Sequence, residues 1–423
     1  MDSPRKLIVG YDLCEDASQI SCFSYKSYEP VPISQREGEE EHSIPTVLCL
    51  RESTKQWLFG EEAVKCAQEG AGILVDNILE KVQKGQDVEI LGQTYSGAAL
   101  LEIFLWRTLL LIKNYFPTEP ITKMVITLRE TQPELVERIY GVLRQLGLEK
   151  DRVSVMNHSG AYLYYALSQD KSLWMNDVGM FDFTKEGLSF YRIQMNRRST
   201  PMAAVVVKTD YKDQLNQDIL LLKREGRANP EYILENIINS VVYRQVIATL
   251  YFTGEGFEGG WAGDTIKSFC VGRRVFIGQN LYTNGACYAA KELSGNGNLD
   301  DFILLNEDMV TSSLMIKVYT DTKYQDLELL RPGENWYEVH NSVEVIVDGD
   351  INLDIIKKSI LSKDMITITH PLTDLPEREN RMTRIMIEVS CKAKDNAIVR
   401  VTDLGFGEIC PAKGDMTEVS IEI

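Results

Sequence analysis

No two of the eight cysteines stand at C-x-x-C spacing, and the four histidines (His42, His158, His340 and His370) are scattered through 423 residues. Zinc motifs place their donors in close sequence pairs, so the spacing predicts no zinc site. The cysteines lie mostly inside apolar stretches and read as reduced core residues of a cytosolic protein. Positive charge is also scarce: 45 Lys and Arg face 62 Asp and Glu, a net charge of −17. Nucleic acid and anionic membrane are therefore not expected partners, because both repel an acidic surface. Long apolar runs are missing too. The most apolar stretch, Ala98 to Phe116, carries Glu102, Arg107 and Lys113, and so reads as a buried helix and not a membrane span. The N-terminal Met-Asp-Ser-Pro-Arg-Lys lacks the apolar core of a signal peptide, which makes a cytoplasmic location the expectation.

What is present is a globular composition, 44% hydrophobic and 25% charged, over a length that favours two or three domains. Leu7–Asp12 reads as a buried strand, with Gln19–Tyr25 as its hairpin partner and Ile44–Leu50 as a further strand. A solvated acidic loop covers residues 36–42. Lys123–Leu128 reads as a strand before a helix opened by Pro133 and closed at Gly147. The order then repeats: a strand at Val153–Asn157, a helix to Leu167 and a strand pair within 178–195. Such a repeat suggests a duplicated α/β architecture. Pro230–Leu250 reads as one long helix, Arg274–Gly278 as a strand and Gly285–Ala290 as a helix. Trp106, Tyr162, Tyr164 and Tyr165 read as core. Beyond a linker at Ser294–Asp300, short alternating runs predict an antiparallel β domain with one helix, Asn352–Leu361. The expected domains are 1–153, 154–298 and 299–423.

Two strand–turn–strand segments carry the chemistry. Ile8-Val-Gly-Tyr-Asp12-Leu-Cys-Glu-Asp-Ala-Ser18 and Phe181-Asp-Phe-Thr-Lys-Glu-Gly-Leu-Ser189 each place an aspartate near the end of an apolar strand, before a tight turn. With Phe59-Gly-Glu-Glu-Ala63, Ser154–Ala161, Thr253–Gly260 and Asn284–Ala290 they resemble, in order and spacing, the actin, heat-shock chaperone and sugar-kinase ATPase superfamily over about residues 5–293. The chain also resembles an uncharacterised bacterial family with a degenerate actin-like domain and a β-rich C-terminal extension. The resemblance implies a two-lobed actin-like ATPase fold made of duplicated ribonuclease H-like halves, followed by a mostly β domain. It implies that Asp12 and Asp182 orient water on a magnesium ion. It also implies that Leu13, Cys14, Lys65, Thr184, Gly187, Gly254 and Gly256 contact ATP or ADP. An aspartate that ends a strand also serves simply to cap a turn.

The chain departs from the family at its turns. Cys14, Glu15 and Asp16 stand where the family has glycine and threonines, and Thr184, Lys185 and Glu186 replace a run of glycines. A carboxylate about 4 Å from a phosphate is opposed by about 4 kcal/mol at an effective dielectric of 20. The resulting expectation is a binding or assembly module, chaperone-like in fold, with weak nucleotide binding and lost hydrolysis, acting on a protein partner or on itself. Two alternatives stay open: an active magnesium–ATP-dependent chaperone-like or kinase-like ATPase, and a scaffold that recognises a protein through its C-terminal β domain. His158 reads as an interior hydrogen-bonded histidine, with a general-base role as the alternative.

Overall fold

The computed structural model describes residues 6–36, 42–349, 351–362, 364–412 and 414–423. The acidic run Glu37–Glu41 lies outside the described residues. The chain divides into two compact units, one made of the residues up to Ile193 with Lys208–Asp300, the other of Gln194–Val207 with Asp301–Ile423. It is a mixed α/β protein with a β-rich C-terminal part.

All seven residues of β1 (Leu7–Leu13) are buried, as befits a central strand. β1 pairs antiparallel with β2 (Ala17–Ser24), and β2 pairs with β3 (Glu29–Ile33) and the short β4 (Ile44–Pro45). The expected strand Ile44–Leu50 is divided: after β4 the chain turns at Thr46, whose hydroxyl bonds that of Ser18 at 2.9 Å, and resumes as β5 (Leu48–Arg51). β5 pairs with β6 (Trp57–Phe59), which leads into α1 (Gly60–Gln68), and with β7 (Gly72–Val75). There follow α2 (Ile78–Lys84), the hairpin β8 (Asp87–Ile90) and β9 (Gln93–Ser96), and α3 (Gly97–Tyr115). Ser96 caps α3 by accepting from the Ala99 N–H at 3.2 Å. Trp106 is not core: it is 48% exposed on α3, with the Arg107 guanidinium 4.9 Å from its ring. β10 (Ile121–Leu128) and β11 (Val153–Asn157) join β1 in parallel with α4 (Pro133–Gln145) as crossover, giving the order β3-β2-β1-β10-β11.

The second sheet is built alike. After α5 (His158–Ser168), β12 (Asp177–Thr184) forms a hairpin with β13 (Gly187–Asn196). β14 (Met202–Asp210), α6 (Gln217–Arg224) and α7 (Pro230–Val242) follow. The expected helix Pro230–Leu250 is corrected here: α7 stops at Val242, Arg244 takes φ +56°, and Ile247–Thr253 is β15, parallel to β12. A run of Ile, Thr, Leu, Tyr and Phe favours a pleated, buried environment, and strand pairing overrides the apparent helical spacing. After α8 (Gly263–Ser268), β16 (Arg274–Ile277) extends the parallel row. Both sheets thus hold an antiparallel hairpin whose first strand continues into two parallel strands.

α9 (Leu281–Lys291) then packs across β1, and here two glycines allow close approach. A Cβ on Gly10 would overlap the Cys287 amide and the Thr283 carbonyl, and one on Gly285 would overlap the Ala161 carbonyl of α5. The buried Ala286, Cys287, Ala289 and Ala290 pack with Ile8 and Val125.

The second unit begins its β run with β17 (Phe302–Leu305), parallel to β14. β18 (Ser312–Thr320) pairs with β19 (Lys323–Leu330), and β20 (His340–Ile346) follows. β21 (Asn352–Ser359), expected as helix, is a strand that buries Leu353 and Ile355 on one face. Its basic tail Lys357–Lys358 and the adjacent Ile356 imitate an amphipathic helix, but the period is two. β22 (Met365–Pro371), β23 (Arg384–Ala393), β24 (Asn396–Asp403) and β25 (Met416–Glu422) complete two four-stranded antiparallel sheets, β19-β18-β21-β22 and β20-β23-β24-β25. They share one apolar core that includes Leu314, Ile355, Ile387 and Val399. Arg378 donates to both oxygens of the fully buried Asp403 carboxylate, at 2.6 and 2.7 Å.

Candidate functional site

The C-terminal ends of parallel strands gather the polar residues of open α/β sheets, and β1, β10 and β12 end at one cavity of about 380 Å³. Leu13, Cys14, Arg129 and His158 line one side. Asp182, Thr184, Glu186 and Lys212 line the other.

Two polar bridges connect the first hairpin to the second. In the inner one, His158 Nε2 donates to Asp12 Oδ1 at 2.8 Å. The His158 ring stacks on Tyr282 at 3.6 Å with 14° between planes, and Tyr282 Oη donates to Asp182 Oδ2 at 2.7 Å. Asp12, His158, Asp182 and Tyr282 are all buried. Burial raises the Asp182 carboxyl above its usual range, against the opposing effect of the Tyr282 bond. Burial and then Asp182 push the Tyr282 phenol well up. The outer bridge is Arg129. Its Nη2 donates to both Asp16 oxygens, at 2.9 and 2.8 Å, and Nη1 lies 4.0 Å from Glu186 Oε1. Lys212 Nζ donates to Glu186 Oε2 at 2.6 Å, and the bond to Lys212 holds the Glu186 carboxyl below its usual range.

Cys14, Asp182 and Thr184 converge here with Leu13, and Asp12 lies behind the wall on its bond to His158. Thr184 turns its oxygen inward on its own turn, accepting from the Glu186 N–H at 3.3 Å and so occupying a donor that a phosphate would need. The remaining expected contacts are elsewhere. Lys65 is exposed on α1 and does not line the cavity. Gly187 supports the turn at φ +127°, close against Lys212 Cα, and also lies off the wall. Gly254 and Gly256 are packing positions: a Cβ on Gly254 would strike the Phe183 carbonyl and the Asp182 carboxylate, and one on Gly256 the Phe183 ring. The expected crowding of bare carboxylates is corrected at Asp16 and Glu186, which carry basic partners, whereas Glu15 lines the cavity and its Oε2 accepts from the Glu80 N–H at 3.2 Å.

Sequence reading missed Arg129, Tyr282, Lys208 and Lys212. Arg129 alone had a signal, because it directly follows a strand read correctly. Lys208 Nζ reaches Glu130 at 3.2 Å, from a strand that was not anticipated.

Cys14 is buried, its Sγ 3.4 Å from Asp12 Oδ1 and 3.5 Å from His158 Nε2. In a thiol–imidazole–carboxylate relay the thiol and the acid use opposite ring nitrogens. Here both meet Nε2, and burial pushes the thiol well up, so the trio is not arranged as an activated nucleophile. Among the free cysteines only Cys270 is exposed. No helix among the described residues is long and apolar enough to cross a membrane.

The architecture is that of a mixed α/β unit carrying a polar cavity, followed by a β-rich unit. Residues 29–307, more than half of the chain, match the family described as "Family of unknown function (DUF5716) C-terminal", and the chain belongs to that family. Residues 309–423 match a "Domain of unknown function (DUF8552)". No curated protein matches the chain.

Proposed function

We propose that the first unit is a degenerate actin-like fold of two ribonuclease H-like halves, and that it serves as a binding or assembly module without ATP hydrolysis. The matching hairpin-plus-parallel pairing of its two sheets supports the fold, as does the close crossing of α5 and α9 between them. The observation that carries the function is the double bridge. Each aspartate that would orient magnesium-bound water accepts instead from an internal side chain, Asp12 from His158 and Asp182 from Tyr282. Arg129 holds the first turn where a terminal phosphate would need free donors. These residues do not fit magnesium–ATP without breaking buried bonds, each of which contributes roughly 0.5–1.5 kcal/mol, or about 1.5–3 kcal/mol where a charged group takes part.

Phosphate release from magnesium–ATP by the purified chain tests this directly. The expected rate equals that of the buffer blank. Turnover that disappears in both Asp12→Asn and Asp182→Asn would establish an active ATPase instead.

A second reading is favoured by the edge strand β22, which exposes the apolar pair Met365 and Ile366. On it, the β-rich unit adds a strand from a protein partner. A Met365→Lys/Ile366→Lys variant that keeps its partner would count against this reading.

A further inference from the structure

We propose that Asp12, Cys14 and His158 form a binding site for Zn(II) or a similar borderline divalent transition-metal ion, with its open coordination position toward the cavity. The three donor atoms lie within 4.8 Å of one another, and all three residues are buried. The triangle they make has edges of 3.4 Å from Sγ to Oδ1, 3.5 Å from Sγ to Nε2 and 2.8 Å from Nε2 to Oδ1. Tetrahedral Zn(II) with bonds of about 2.3 Å to sulfur and about 2.0–2.1 Å to nitrogen and oxygen sets donor separations of about 3.5 Å for both edges that include sulfur, and about 3.3 Å for nitrogen to oxygen. The two sulfur edges are already met. The third opens by about half an ångström when the ion replaces the His158–Asp12 hydrogen bond.

The donors are held by rigid elements. Asp12 is fixed in β1 between Thr127 of β10 and Gln19 of β2, and His158 opens α5 with its ring stacked on Tyr282. Such support for the ligands favours metal binding by lowering the ordering needed. Cys14 and His158 line the cavity, so an ion and a fourth ligand have access from that side. On binding, the thiol proton leaves to solvent and the imidazole proton moves from Nε2 to Nδ1. The carboxylate and thiolate then balance the two positive charges. One thiolate and one imidazole select Zn(II), Co(II) or their neighbours over Mg(II), which demands oxygen donors. Sequence spacing hides the set because His158 is 144 residues from Cys14. The site shares the His158–Asp12 pair with the proposed function, the ion taking the place of their hydrogen bond, and its readout is metal binding and not nucleotide turnover.

Cobalt titration of the full chain, stripped with a chelator, tests the site. The expected result is a thiolate-to-Co(II) charge-transfer band that saturates at one equivalent, is displaced by Zn(II) and is unmoved by excess Mg(II). Cys14→Ser should lose the band, while Cys270→Ser, at the exposed cysteine, should keep it. His158→Gln should weaken Zn(II) by at least about a hundredfold, since even outer residues of such sites are worth about 10–100-fold. Absence of the band in the unaltered chain, or its persistence in Cys14→Ser, overturns the proposal. Should Cys14→Ser not fold by circular dichroism, X-ray absorption of the zinc-loaded unaltered chain decides. One sulfur with nitrogen and oxygen neighbours supports the site, and no sulfur or several overturns it.

Discussion

The guanidinium of Arg129 faces the Asp16 carboxylate with two hydrogen bonds and has Glu186 on its other side, in a pair that is about one-third exposed or less at Arg129 and Asp16. Hydrogen bonds to charged groups contribute about 1.5–3 kcal/mol, and partial exposure places this one toward the lower end. Arg129→Gln is therefore expected to lower stability by about 1–2 kcal/mol, read as a drop in the urea midpoint at constant slope. Arg400→Gln, which removes an exposed pair with Glu418, should change it by less than about 1 kcal/mol. Asp182 gives a pH test. Burial raises its carboxyl in the folded state, so the folded chain holds that proton above the pH where the unfolded chain releases it. Its contribution to stability is complete below the unfolded value near 3.8 and is lost as pH rises through the raised folded value. Asp182→Asn lacks this loss, so its stability relative to the unaltered chain should climb from pH 4 upward and then level off. Urea melts across that range would show it, and a constant difference would contradict it.

Among elements, the crossing of α9 with β1 and α5 sets the tightest demands. Gly285→Val and Gly10→Val each drive side-chain carbons into backbone atoms, which cannot yield as a flexible side chain can. Each should destabilise by about 1–3 kcal/mol or more. Gly141, on the exposed face of α4, has open space around it, so Gly141→Ala should stabilise by about 0.5–1 kcal/mol through helix propensity. A thermal melt of the three variants separates close packing from a general intolerance of substitution at glycine. The elements also mark where sequence was readable. β1, β2, α3, α4, β12 and α9 are legible because apolar period and end signals agree in each. Ile247–Thr253 continues the apolar positions of α7, so sequence alone joins the two, and only pairing with β12 fixes β15 as strand. β21 looks helical in sequence because two lysines follow its apolar alternation.

At the scale of the molecule, order along the chain revealed a repeated α/β pattern and a change to β structure near residue 300, where the two units also part. The aspartates were legible because each ends an apolar strand. Their pairings were not: His158, read as an interior hydrogen-bonded histidine and found as one, Tyr282 and Arg129 come from three other elements, and only folding brings them within bonding distance. The same folding gives Asp16 and Glu186, in turns that looked hostile to phosphate, basic partners of their own. On the proposed reading, this cavity is closed by the chain's own bonds against a nucleotide. A ligand bound only by the folded state must raise its melting temperature, with about 2.7 kcal/mol added at a hundred times its dissociation constant. The most direct measurement is the melting temperature of the full chain with and without millimolar ATP and magnesium. No change is expected in the unaltered protein, and a rise of several degrees would mean that the folded chain binds the nucleotide.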